Sequence, residues 1–199
     1  MFGPLENTIH GVVSFTWPMI LISTIIIVSF RLTYIFKNHE KFVLYKELLM
    51  LSFMIYILCL FQVVTFQDEV SWSSNNFIPF REIFRYNIGS RLFFKNVLGN
   101  MVMFMPFGFF ISYYLKTDRA HITVVLTIIA SCSIEVVQML IGRVFDVDDI
   151  LLNLFGGLVG YFIYSILSKI GDRLPKVLKS EVFLNILSII ILIGLISLL

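Results

Sequence analysis

Glu135, Gln138, Arg143, Asp146, Asp149 and Asn153 follow one another closely in a stretch that is otherwise almost wholly apolar. Two carboxylates such as Glu135 and Asp149 are the residue types that general acid/base chemistry uses. Arg143 offers a planar fork that suits a phosphate or carboxylate. Asp146, Asp148 and Asp149 are oxygen donors of the kind that Ca²⁺ or Mg²⁺ takes, but three carboxylates around one turn are a weak pattern, and no metal is assigned. Each residue also has a plainer structural reading. Glu135 could be hydrogen-bonded across helices to Asn100, Gln138 or Asn153, and Arg143 could sit in a loop ion-pair network with Asp146 and Asp149. Asp148 reads as a solvated extra charge. The histidines, His10, His39 and His121, lie at the amino terminus or on the opposite side of the membrane from this cluster. An H-E-x-x-H zinc site and a histidine-based nucleophile relay are therefore excluded. There is no P-loop or G-x-G-x-x-G, so no cofactor is expected.

The elements that must position these residues are membrane helices. The chain is 58% hydrophobic and 14% charged, with a mean hydropathy of +0.92, against about 25% charged in ordinary soluble domains. Six apolar runs, uncharged but for Glu135 in the fourth, approach the length of about 20 residues that spans a bilayer. They are Val12–Phe30, Leu48–Phe66, Val97–Leu115, Ala120–Ile141, Ile150–Leu167 and Val182–Leu199. The expected fold is all-α: one integral-membrane domain over residues 1–199, a polytopic bundle of six transmembrane helices. The first run lacks the basic flank, short core and small-residue cleavage site of a signal peptide. Cys59 and Cys132 lie inside runs two and four and read as buried structural thiols.

Basic residues set the orientation. Ten of the fifteen lysines and arginines flank one side of the six runs, and Arg81, Arg85, Arg91, Lys95 and Arg143 flank the other. The positive-inside rule then places both termini outside, and the polar cluster with them. The net charge of +2 therefore reports topology and gives no ground for a nucleic-acid partner. An ionisable group inside a bilayer is costly, by about a few kcal/mol on insertion scales, so a chain that keeps Glu135 in the outer half of run four has a use for it.

Helical spacing gathers the polar groups further. Asn96 and Asn100 share a face by their i,i+4 spacing at the outer end of run three. Ser131, Glu135, Gln138 and Gly142 form one stripe on run four. Asn153, Gly156 and Gly160 share a face of run five, where the small-xxx-small pair permits close helix packing. Pro106 and Gly108 predict a kink that opens space between helices. Between runs two and three, Phe77, Phe80, Phe84, Ile88 and Leu92 recur at helical spacing, with Arg81, Glu82 and Arg85 among them. That segment reads as an amphipathic helix in the outer interface or an apolar lid, introduced by a turn at Asn76–Phe80.

These motifs in register resemble the VanZ-like family. An N-x-x-P-F element stands at Asn76, Pro79 and Phe80. An N-x-x-x-N-x-x-x-F-x-P-x-G element follows at Asn96, Asn100, Phe104, Pro106 and Gly108, then E-x-x-Q at Glu135 and Gln138. The last element is Arg143, Asp146, Asp149, Asn153, Gly156 and Gly160. The resemblance covers about residues 75–161; runs one, two and six match only as generic spans. It implies a multi-pass plasma-membrane protein of Gram-positive type, linked through the founding member to resistance against teicoplanin-type lipoglycopeptides. It supplies a phenotype and no mechanism.

The residues and the resemblance together suggest a cell-envelope accessory protein whose partners are membrane lipid and an amphiphile, either an acylated glycopeptide or a lipid-linked cell-wall intermediate. Asn76, Asn96, Asn100, Glu135, Gln138, Arg143, Asp146, Asp149 and Asn153 would take the polar head. Pro79, Pro106, Gly108, Gly156 and Gly160 would be structural. The alternative is an enzyme acting on such a molecule through Glu135 and Asp149. Six helices without a visible repeat argue against a monomeric transporter, though a homo-oligomer could supply a missing half.

Overall fold

A computed structural model describes residues 3–65, 75–171 and 173–197, with side chains placed for 17–62, 75–171 and 173–197. Every regular element among them is helical. The helices are α1 (Gly3–Asn38), α2 (Leu44–Thr65), α3 (Gly99–Leu115), α4 (Ala120–Leu140), α5 (Val147–Gly171) and α6 (Glu181–Ser197), and a π-helical turn, Phe93–Leu98, leads into α3. Five segments are long and apolar enough to cross a membrane: Trp17–Asn38, Leu44–Gln62, Phe93–Leu115, Ala120–Leu140 and Val147–Gly171. Helix α6, at 17 residues, stands at the short end of the spanning range. Of the six expected spans, five are found at spanning length, and α6 falls among the shorter apolar helices.

The chain packs as two compact units, residues 1–67 with 173–199, and residues 68–172. In the first, α2 packs against both α1 and α6. Arg31, within the apolar span of α1, is held by the Glu47 carboxylate through Nε at 2.9 Å and Nη2 at 3.0 Å, and Glu40 adds a second carboxylate at 3.2 Å. A guanidinium inside a span requires such partners.

In the second unit α5 is the central helix, packed closely on α3 and also on α4. Glycines make that approach possible. A Cβ at Gly156 would overlap the Met101 carbonyl, one at Gly160 the Met105 carbonyl, and one at Gly108 the Gly157 carbonyl. Backbone therefore lies on backbone along the face that the small-xxx-small spacing predicts. Two residues beyond Pro106, the glycines at 108 and 157 let α5 lie directly against α3. On α4, Thr123, Thr127 and Ser131 are fully buried, extending the stripe of Glu135 and Gln138 along the helix. Ser112 of α3 meets Thr123 at 2.9 Å between hydroxyl oxygens, while Thr127 packs its side chain on Gly157. Cys59 and Cys132 are both free thiols.

Candidate functional site

The site is built around the turn between α4 and α5. Helix α4 ends in a Schellman motif: Gly142 takes φ +85°, its N–H donates to the Met139 carbonyl at 3.2 Å, and the Arg143 N–H donates to that of Gln138 at 2.9 Å. Glycine supplies this left-handed conformation at no steric cost. The chain then reverses, and Asp146 caps α5, its Oδ1 accepting the Asp148 N–H at 2.8 Å, the usual bond from an N-cap side chain to the second helical amide.

Glu135 joins this cap to the bilayer-crossing part of the unit. Its side chain is 1% exposed, and Oε2 accepts the Asp146 N–H at 2.9 Å. The two asparagines prove to be one step removed: Glu135 holds the start of α5, and Asn100 and Asn153 use other acceptors. Asn100 donates to Asp149 Oδ1 at 2.5 Å. Asn153, one turn deeper, donates to Ser131 Oγ at 2.8 Å. Three helices are thereby tied at one end through polar side chains, each bond satisfying a group that lipid would leave bare. Arg143 lies within electrostatic reach of both Glu135 and Asp149. Gln138 is buried beside them.

The loop before α3 completes the site from above. Asn76 pairs with Asp146 in an isolated parallel bridge. Its N–H donates to the Phe145 carbonyl at 2.8 Å, and its own carbonyl accepts the Val147 N–H at 3.0 Å. The Asn76 side chain donates to Asp146 Oδ1 at 2.8 Å, and Asn75 Oδ1 accepts the Phe145 N–H at 3.0 Å. Burial holds the Asp146 carboxyl above the usual carboxylate range, against the hydrogen bonds from the Asp148 amide and Asn76 that favour its charged form.

Two expectations are corrected here. Asp148 is no solvated extra charge; it is 1% exposed and anchors the loop. Its Oδ1 accepts the Phe80 N–H at 2.5 Å, and its Oδ2 accepts those of Glu82 at 2.7 Å and Ile83 at 3.2 Å. This is also why the amphipathic segment is not a helix. Pro79 starts a tight turn in which the Arg81 N–H reaches the Ile78 carbonyl at 3.4 Å and Phe80 takes φ +67°. The Asp148 carboxylate then takes the amides that a helix would have paired internally, leaving only a 3-10 turn at Ile83–Arg85. The second correction concerns Asn96. A π-helical turn leads from Asn96 into α3, with the Gly99 N–H reaching back five residues to Phe94. Asn96 donates instead to the Tyr86 hydroxyl at 2.9 Å, outside the cluster. Asp148 was legible only as an acidic residue in the first turn of a helix, which the helix dipole favours anyway; Tyr86 gave no signal.

Chemically the arrangement offers buried carboxylates, amide donors and one guanidinium at the end of an apolar three-helix unit. Among the described residues, no group of three or more His, Cys, Asp or Glu side chains is placed to hold a metal ion. Asp148 already spends both oxygens on backbone amides. Comparison with curated proteins and with solved structures produced no match. A family model described as VanZ/LLP1 matches residues 53–168, a span that takes in α3, α4, nearly all of α5 and every residue of the site. The chain belongs to the VanZ/LLP1 family.

Proposed function

We propose that this protein is a bacterial plasma-membrane accessory of the cell envelope that binds an amphiphile at the α4–α5 turn and so contributes to resistance against teicoplanin-type lipoglycopeptides. The ligand is an acylated glycopeptide or a lipid-linked cell-wall intermediate. Its polar head meets Arg143, Asp149, Glu135 and the surrounding amides, and its acyl chain lies in lipid along the apolar helix faces. One observation carries this reading: the costly groups Glu135, Asp149, Asn100 and Asn153 are drawn from three different helices and held by hydrogen bonds at one end of the unit. Stability alone gives little reason to bury so many, since apolar residues of similar volume pack as well or better.

A second reading, an enzyme acting on the same molecule, is favoured by the approach of two carboxylates. Glu135 and Asp149 are close enough for their charges to interact, as in sites where paired carboxyls share acid and base roles. Mass spectrometry separates the two. Purified protein incubated with a lipoglycopeptide or a lipid-linked wall precursor should return it with unchanged mass if it is a binder, and with altered mass if it is an enzyme.

The surface reading also requires the turn to face outward, as the basic asymmetry predicts. In a background lacking Cys59 and Cys132, Asn75→Cys should react with an impermeant thiol reagent in intact cells and Lys176→Cys should not. The reverse pattern would put the site in the cytoplasm and remove a surface ligand.

A further inference from the structure

Segment 77–95 is exposed in a way the helix faces do not explain. Phe77, Ile78, Phe80, Phe84, Ile88, Leu92 and Phe94 all show large apolar side chains, with Phe84 83% and Ile88 90% exposed. The segment is not slack. Asp148 holds three of its amides and Asn76 bridges it to Asp146. It also runs without a break into the membrane-spanning Phe93–Leu115, which fixes its level beside a helix end, in the interfacial region of a bilayer. An apolar surface of this size in water invites a partner.

The charges name the partner. Four cations, Arg81, Arg85, Arg91 and Lys95, stand among these residues against the single carboxylate of Glu82, which Arg85 meets at 3.0 Å. Arg81, Arg85 and Arg91 are exposed. Apolar tips alternating with guanidinium groups fit a surface that is apolar below and anionic above. Arginine forks match phosphate oxygens. We propose that segment 77–95 is a lipid-binding element: its apolar side chains insert at the acyl boundary, its arginines bind the phosphates of anionic phospholipids, and Asp148 fixes it in that pose. This surface adjoins the polar cluster through Asn76 and Asp148, but lipid binding there does not depend on that cluster's ligand.

The test uses full-length protein in two arms. With Trp17 and Trp72 replaced by Phe, Ile88→Trp in nanodiscs containing brominated phospholipid should emit as a buried indole and be strongly quenched. Water-like, unquenched emission would overturn the proposal. In detergent, phosphatidylglycerol should bind at least about ten-fold more tightly than phosphatidylcholine, given a contribution of about 1 kcal/mol per cation near an anionic surface. The preference should shrink in high salt and fall towards one in Arg81→Gln/Arg85→Gln/Arg91→Gln. Equal binding of the two lipids by the parent protein, or an undiminished preference in the triple variant, would overturn it as well.

Discussion

Gly156→Leu is expected to abolish the folded form of the α3–α4–α5 unit, with little monodisperse protein recovered from membranes. A Cβ at this position would overlap the carbonyl oxygen, carbonyl carbon and Cα of Met101. These are backbone atoms, so no rotamer change relieves the clash and the two helices must separate. Helix association in lipid rests on packing rather than on a hydrophobic drive, so separation loses most of what holds the pair. Overpacking in a well-packed core costs about 1–3 kcal/mol; against rigid backbone even Gly156→Ala should reach the upper part of that range. Gly194→Ala is the control, because a Cβ there has nothing within 4 Å and should change stability by less than about 0.5 kcal/mol. Thermal unfolding of the purified proteins checks both. Comparable melting of the Gly156→Ala and Gly194→Ala variants would show that the close approach is not what holds α3 to α5.

Asp148→Ala should release the loop while leaving the helices folded. The substitution removes the acceptor of three backbone N–H groups at once. A hydrogen bond to a charged group contributes about 1.5–3 kcal/mol, and water can replace part of that at a surface loop. A net loss of even 1.4 kcal/mol in local protection is ten-fold in exchange. Hydrogen exchange should therefore accelerate at least about ten-fold at the amides of Phe80, Glu82 and Ile83, with α3 and α5 unchanged. Asp148→Glu should restore this only in part, because the longer stem displaces the carboxylate. Unaltered exchange at those amides would show that the loop is held by other contacts.

These two residues also mark how far sequence reaches. Gly156 and Gly160 were legible because helical periodicity and small side chains together dictate a packing face, and α5 meets α3 on that face. The stripe of Ser131, Glu135 and Gln138 was legible for the same reason. Asp148 was not, because its partners are backbone amides of a loop distant in sequence, and a backbone amide carries no residue type to read. The spacing of Phe77, Phe80 and Phe84 suggested a helix, since periodicity does not register a carboxylate from elsewhere claiming the same amides. Asn96 and Asn100 take different partners, Tyr86 and Asp149, which i,i+4 counting cannot show. Where the polar residues lie along the helices was readable; which atoms they bind was set by tertiary contacts.

The central claim, a polar head bound at the α4–α5 turn with its acyl chain in lipid, is tested most directly by comparing two drugs in one susceptible Gram-positive host. Each buried methylene contributes about 0.8 kcal/mol, so a lipidated glycopeptide can partition beside α3, α4 and α5 where an unlipidated one cannot. Expression should raise the inhibitory concentration of teicoplanin-type drugs and leave that of vancomycin nearly unchanged. Arg143→Ala or Glu135→Ala, at equal membrane levels, should abolish the protection. Equal protection against both drugs, or full protection by both variants, would contradict the claim.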